Sequence, residues 1–219
     1  MATPQSVNSV RGWLEYVNNQ VSPEGVEYLK LALYPFLKVS YGEAEMLRKP
    51  SQVYDLLLKK HFQHDAEKTL QWFVHTLSLL GGDLRGHRLI DCLQKHEISR
   101  PSDPENMTRE EKFFECLAKI GRKARGLDLE TKLIHRFSRR NCLDINPCNV
   151  RYLPDLFIRL VHEQIISPYD TNRLAESLKR YRAKQCLFYL NEYHKSVGME
   201  EIEGMTGFSR GECCLYVCA

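Results

Sequence analysis

The sequence predicts an all-α protein built as two six-helix antiparallel bundles in tandem, and three observations carry that prediction. Apolar residues recur at helical spacing, as at Leu153, Leu156, Phe157, Leu160 and Val161, the i, i+3, i+4, i+7, i+8 stripe of a helix facing a core. No segment shows the apolar–polar alternation of a half-buried strand. The helical segments fall into two sets of six around Ser99–Met107, SRPSDPENM, which holds two prolines and no apolar run, the composition of a linker.

In the first set, Val10, Trp13, Leu14 and Val17 mark a helix over residues 7–19 that Gly12 only weakens. Ser22-Pro23-Glu24 then starts the next helix: a capping hydroxyl, a proline whose missing N–H is not needed at the first position, and a carboxylate near the positive end of the dipole. That helix buries Val26, Leu29, Leu33 and Leu37, with Pro35 kinking or shortening its last turn. Glu43–Arg48 forms a short helix between Gly42 and Pro50. Ser51 onwards carries Val53, Leu56 and Leu57. Asp65 onwards carries Leu70, Phe73, Val74, Leu77 and Leu80 and stops at Gly81-Gly82, and Leu84, Leu89, Ile90 and Leu93 make the last segment.

The second set opens at Thr108, whose Thr-x-x-Glu spacing to Glu111 is a capping box. Phe113, Phe114, Leu117 and Ile120 follow on the first helix. Asp128 caps the second, which carries Leu129, Leu133, Ile134 and Phe137, and a Cys-, Asn- and Pro-bearing connection spans residues 141–150. Three amphipathic helices complete the set across Tyr152 to Lys195, with Ser167 and Pro168 read as the start of the middle one and Leu174, Leu178 and Tyr181 as its inner face. The domains are therefore expected at residues 1–98 and 108–197, with 99–107 as linker and 198–219 as a disordered tail. A period near 100 residues is too long for a solenoid, which favours two small bundles.

Hydrophobic residues at 43% and charged residues at 27% are ordinary for a globular chain. No run of about 18 apolar residues exists, so no membrane span is expected. Cys92, Cys116, Cys142, Cys148 and Cys186 are scattered through apolar patterns with no secretory signal before them, the usage of core thiols in a reducing compartment. The expected location is cytoplasmic, with the nucleus as second choice. In the tail, prenylation needs a cysteine fourth from the end, where Tyr216 stands; palmitoylation of Cys213 or Cys214 stays open.

Charge is unevenly spread. Residues 1–100 have a net charge of +1, residues 109–199 of +7 and residues 200–219 of −3. The cations of the second set cluster as Arg122, Lys123, Arg125; Arg136, Arg139, Arg140; and Lys179, Arg180, Arg182, Lys184. Such clusters suit either a phosphate backbone or one half of a charge-complementary protein interface. The aromatics among them, Phe137 and Tyr181, are read as inner-face residues of their helices and form no stacking platform for bases, which favours the protein partner.

From Thr108 to Lys195 the sequence resembles a death effector domain. Leu153-Pro154-Asp155-Leu156-Phe157 followed by HEQIISPYDTNRLAESL looks like that family's fourth helix, polar turn and fifth helix. The resemblance implies a charge triad of an acidic residue on the second helix and an Arg-x-Asp-Leu opening the sixth. The acidic candidates are Asp128 and Glu130; the sixth-helix counterpart is Ala183-Lys184-Gln185-Cys186, preceded by Arg180 and Arg182, with Gln185 in place of the aspartate. Tyr54-Asp55-Leu56-Leu57, Phe73-x-x-x-Leu77 and Gly81-Gly82 in the first half resemble an effector-like or caspase-recruitment-like module of the same death-fold superfamily.

A tandem pair without a protease domain is similar to the adaptor or inhibitor members that regulate initiator caspases. The resemblance thus implies a non-enzymatic protein that binds death-fold adaptors and initiator caspases, or its own copies; the +7 charge of residues 109–199 makes nucleic acid the alternative partner. Its partner-binding candidates are Asp128, Glu130, Arg136, Arg139, Arg140, Arg180, Arg182 and Lys184.

Catalytic signatures are absent from the sequence. It lacks Gln-Ala-Cys-x-Gly, a Gly-rich phosphate loop and His-Glu-x-x-His. His61 and His64 are spaced for a shared metal, but no third ligand stands at a useful spacing, so no cofactor or metal is expected.

Overall fold

A computed structural model describes residues 10–37, 39–60, 65–66, 69–70, 73–74, 76–77, 107–125, 128–139 and 150–202, and the elements among them are all α-helices. They are α1 (Val10–Gln20), α2 (Pro23–Leu37), α3 (Tyr41–Met46), α4 (Pro50–Lys60), α5 (Arg109–Ala124), α6 (Asp128–Arg139), α7 (Leu153–His162), α8 (Asn172–Arg180) and α9 (Lys184–Val197). The chain divides into two compact units, Met1–Phe114 and Glu115–Ala219. The division falls inside α5, and Phe114, the last residue of the first unit, packs its ring against Tyr34 of the same unit, centroids 5.3 Å apart. The segment expected as linker lies outside the described residues up to 106.

In the first unit α2 and α1 both pack on α4. Trp13, Leu29, Leu33, Val53 and Leu57 are buried in one core with Phe73, whose ring meets Trp13 and Tyr54 edge-on at 6.0 and 5.5 Å. Helix starts are fixed by side chains. Ser22 Oγ accepts from Gly25 N at 3.0 Å, and the amide of Asn18 spans from α1 to α4, donating to Ser51 Oγ and accepting from Ser51 N, both at 2.9 Å. The short helix begins earlier than the sequence suggested, because Ser40 and Glu43 form a reciprocal capping box and Gly42 sits within its first turn. Pro35 lies inside α2, which ends two residues later at Leu37.

Beneath the short helix, Lys30 is 2% exposed. Its ammonium reaches Glu27 Oε2 at 2.6 Å and donates to the carbonyl of Ala44 at 3.1 Å, tying α3 to α2.

Thr108 and Glu111 form the expected capping box on α5: Thr108 N donates to Glu111 Oε2 at 2.9 Å and Glu111 N to Thr108 Oγ1 at 3.2 Å. In the second unit α5 and α9 exchange two thiol contacts, Cys116 Sγ to the carbonyl of Tyr189 at 3.4 Å and Cys186 Sγ to that of Ile120 at 3.8 Å. Both cysteines are buried free thiols, as the sequence suggested; Cys92, Cys142, Cys148, Cys213, Cys214 and Cys218 lie outside the described residues.

Two sequence expectations are corrected here. Ser167 and Pro168 do not open α8. They form a tight turn in which Ser167 and Asp170 exchange backbone hydrogen bonds and Ser167 Oγ accepts from the amides of Tyr169 and Asp170 at 3.2 and 3.0 Å. The helix starts five residues after Ser167, where Asp170 Oδ1 accepts from Asn172 N at 3.0 Å. A Ser-Pro pair suits a turn as well as a helix start.

Nor does the ordered chain stop at 197. Residues 198–202 fold back along α9: Met199 N bonds the carbonyl of His194 at 2.9 Å, His194 Nδ1 donates to the carbonyl of Glu200 at 2.7 Å, and Ile202 N donates to Asn191 Oδ1 at 3.0 Å. Ile202 is buried as a result, and Thr171 Oγ1 meets the other imidazole nitrogen at 2.7 Å. The two ring nitrogens of His194 thus hold the start of α8 and the returning strap together.

Candidate partner-binding surface

The helices α6 and α8 are joined by two side-chain contacts, Arg136 Nε donating to Ser177 Oγ at 2.7 Å and Tyr181 Oη donating to the carbonyl of Lys132 at 3.3 Å. Both follow from register. Arg136 lies one turn after Lys132, and Tyr181 lies four residues after Ser177, so each helix turns one stripe toward the other. Arg136 of α6 is thereby held against α8, whose last turn carries Lys179 and Arg180, with Arg182 in the turn that follows and Lys184 opening α9.

The last four are exposed. Lys179 and Arg180 stand in the last turn of α8, where the helix dipole favours cations.

The predicted residues are not all placed alike. Asp128 is the first residue of α6, and its carboxylate is 2.5 Å from Lys132 Nζ, one turn along the same helix. Glu130 Oε1 accepts from Leu153 N at 3.0 Å and so satisfies one of the free amides that begin α7. Arg136 is half-buried and held on Ser177, whose hydroxyl donates in turn to the carbonyl of Arg173 at 2.7 Å. Arg139 closes α6; its side chain and the whole of Arg140 lie outside the described residues. Lys132 was missed, although its position four residues before Arg136 on a predicted helix was the available signal.

The ends of α7, α8 and α9 share one geometry. The amide one residue past each cap bonds three residues back and the next amide five back, as in Arg182 N to Lys179 O and Ala183 N to Leu178 O, both 3.0 Å. Gln164 N to Val161 O and Ile165 N to Leu160 O repeat it at 3.0 and 2.8 Å, and Gly198 N with Met199 N repeats it on Lys195 and His194. This Schellman arrangement places its central residue at positive φ: 56° at Gln164, 54° at Arg182 and 69° at Gly198. Only the last has no side chain to strain.

Burial pushes the thiol of Cys186 up to about 12 and that of Cys116 higher still, so both stay protonated and poorly nucleophilic at neutral pH. Among the described residues no group of three or more His, Cys, Asp or Glu is placed to hold a metal ion, and no helix is long and apolar enough to cross a membrane. The pair His61 and His64 lies outside the described residues.

No protein-family model, curated protein or solved structure matches this chain.

Proposed function

We propose that this chain is a non-enzymatic adaptor or regulator that binds other death-fold proteins through the basic face of its second unit, and thereby modulates assembly of caspase-activating or inflammatory complexes. The observation that supports this best is the run of exposed cations Lys179, Arg180, Arg182 and Lys184 on the helix that holds Arg136 of α6 and in the turn after it, while the two acidic candidates of the family triad are engaged within the unit. On this reading each unit is a six-helix bundle, the last segment of the first and the connection at 141–149 of the second lying outside the described residues. A cytoplasmic location accords with the core thiols Cys116 and Cys186.

The test is co-precipitation of the full chain with death effector and caspase-recruitment modules, comparing wild type with the double variant Arg180→Glu, Lys184→Glu. The expected result is capture by wild type and loss in the variant, with the variant's circular dichroism unchanged. Equal capture by the folded variant removes this face; no capture by wild type removes the family reading.

The net charge of +7 on residues 109–199 supports nucleic acid as a second reading. A titration with duplex and single-stranded oligonucleotides decides it, since phosphate binding must weaken steeply with salt.

A further inference from the structure

We propose that Arg182 is the central contact of the basic face for a carboxylate-rich protein surface, held at the apex of the α8–α9 turn in a backbone conformation that suits glycine better. This rests on the protein-binding reading above and names the chemistry of its partner. At φ 54° the Cβ of an L-residue crowds the neighbouring carbonyl, which is why this position is so often glycine. The chain uses glycine at the equivalent point after α9, Gly198, and not after α8.

Strain alone does not mark a site, since Gln164 bears the same strain after α7. Arg182 differs in its neighbours. Lys179, Arg180 and Lys184 lie within three residues of it, all exposed, and among the described residues the side chains of Lys179, Arg180 and Arg182 engage no other group. A guanidinium at such an apex can take a carboxylate through two parallel N–H donors, a geometry lysine cannot reproduce.

One feature favours carboxylates over a nucleic acid. Tyr181, the aromatic residue within the turn, is half-buried with its hydroxyl on the Lys132 carbonyl, so it offers bases no stacking platform.

Glycine substitution separates the side chain from the backbone. In the full chain, Arg182→Gly and Gln164→Gly should each raise the melting temperature by about 4 °C, because each relieves a left-handed residue. With poly-L-glutamate as probe at low ionic strength, Arg182→Gly should weaken binding by about tenfold, while Gln164→Gly leaves it unchanged. Arg182→Gln keeps the strained side chain without the charge. It should lose binding with little change in melting temperature, so the inference stays testable if the glycine variant misbehaves.

Wild-type affinity in Arg182→Gly, or equal weakening in both glycine variants, overturns the role of the guanidinium. Tighter, steeply salt-dependent binding of a DNA duplex by wild type overturns the carboxylate partner. If Arg182→Gly still captures death-fold modules, this inference falls and the adaptor reading stands; if wild type captures none, that reading falls on its own evidence.

Discussion

At Lys30 the ammonium is buried beside a carboxylate that is itself 12% exposed, so removing either charge leaves the other buried without its opposite in this pair. Lys30→Met is expected to destabilise the first unit by about 3 kcal/mol, and the double variant Glu27→Gln, Lys30→Met to recover part of that, as measured by urea unfolding. A double variant no more stable than the single one would show that Glu27 does not depend on its partner. Gly25 is constrained differently: a Cβ there would meet Val21 Cγ1 at 2.8 Å, so the start of α2 needs a residue without a side chain at that approach. Neither demand could be read from the sequence. Lys30 looks like any helix-surface lysine until the short helix is known to lie over it, and Gly25 reads as a mildly unfavourable helix residue.

Helix starts were the most legible elements where a hydroxyl and a carboxylate stood three apart, or where Ser preceded Pro-Glu. Thr108-x-x-Glu111 and Ser22-Pro23-Glu24 both act as read, because their partners are local amides that any helix leaves free. Ser40-x-x-Glu43 was overlooked in favour of Gly42 as a boundary, although glycine two residues into a capped helix ends nothing. At the start of α8 the same alphabet misled, since Ser167 caps a turn and Asp170 serves the helix.

The Ser40 box also has a pH signature. The hydrogen bonds from Ser40, first its backbone amide and then its hydroxyl, together with Lys60 nearby, hold the Glu43 carboxyl below its ordinary range. A carboxylate with a depressed folded pKa contributes stability above its unfolded value, and that contribution is lost as pH falls through the folded one. The gap in melting temperature between wild type and Glu43→Gln should therefore be open at neutral pH and close on the acid side of the carboxylate range. A gap that persists there would show that the ionised carboxylate is not what the cap uses.

For the molecule as a whole, the helical class and the existence of two units were legible because apolar stripes of period 3.6 survive any detail of packing. The sequence read Phe113 and Phe114 as part of the second unit because they open the stripe of α5, whereas the division falls after Phe114. The face itself was half legible. The basic clusters stood out by charge, but the approach of α6 to α8 depends on Arg136 meeting Ser177 and on Tyr181 reaching a backbone carbonyl, contacts 41 and 49 residues apart with no local signal. The strap was invisible for the same reason: its bonds run from side chains of α9 to backbone groups that no hydrophobic pattern marks. Truncation after Val197 is expected to cost about 2–3 kcal/mol relative to a chain ending at Ile202, from the lost burial of one isoleucine and the hydrogen bonds of Asn191 and His194. Urea unfolding of the two chains measures it, and equal stability would reduce the strap to an ornament of α9.

Because the strap runs back along α9 to Asn191, the chain leaves the described unit beside the middle of that helix instead of beyond its end. Seven residues of helix, about 10 Å, separate Asn191 from Lys184, which is close to one Debye length at ordinary ionic strength. Salt at that strength screens the exposed Lys195–Glu201 pair at 3.6 Å but not the buried Ile202, so the strap keeps its place on α9 as ionic strength rises.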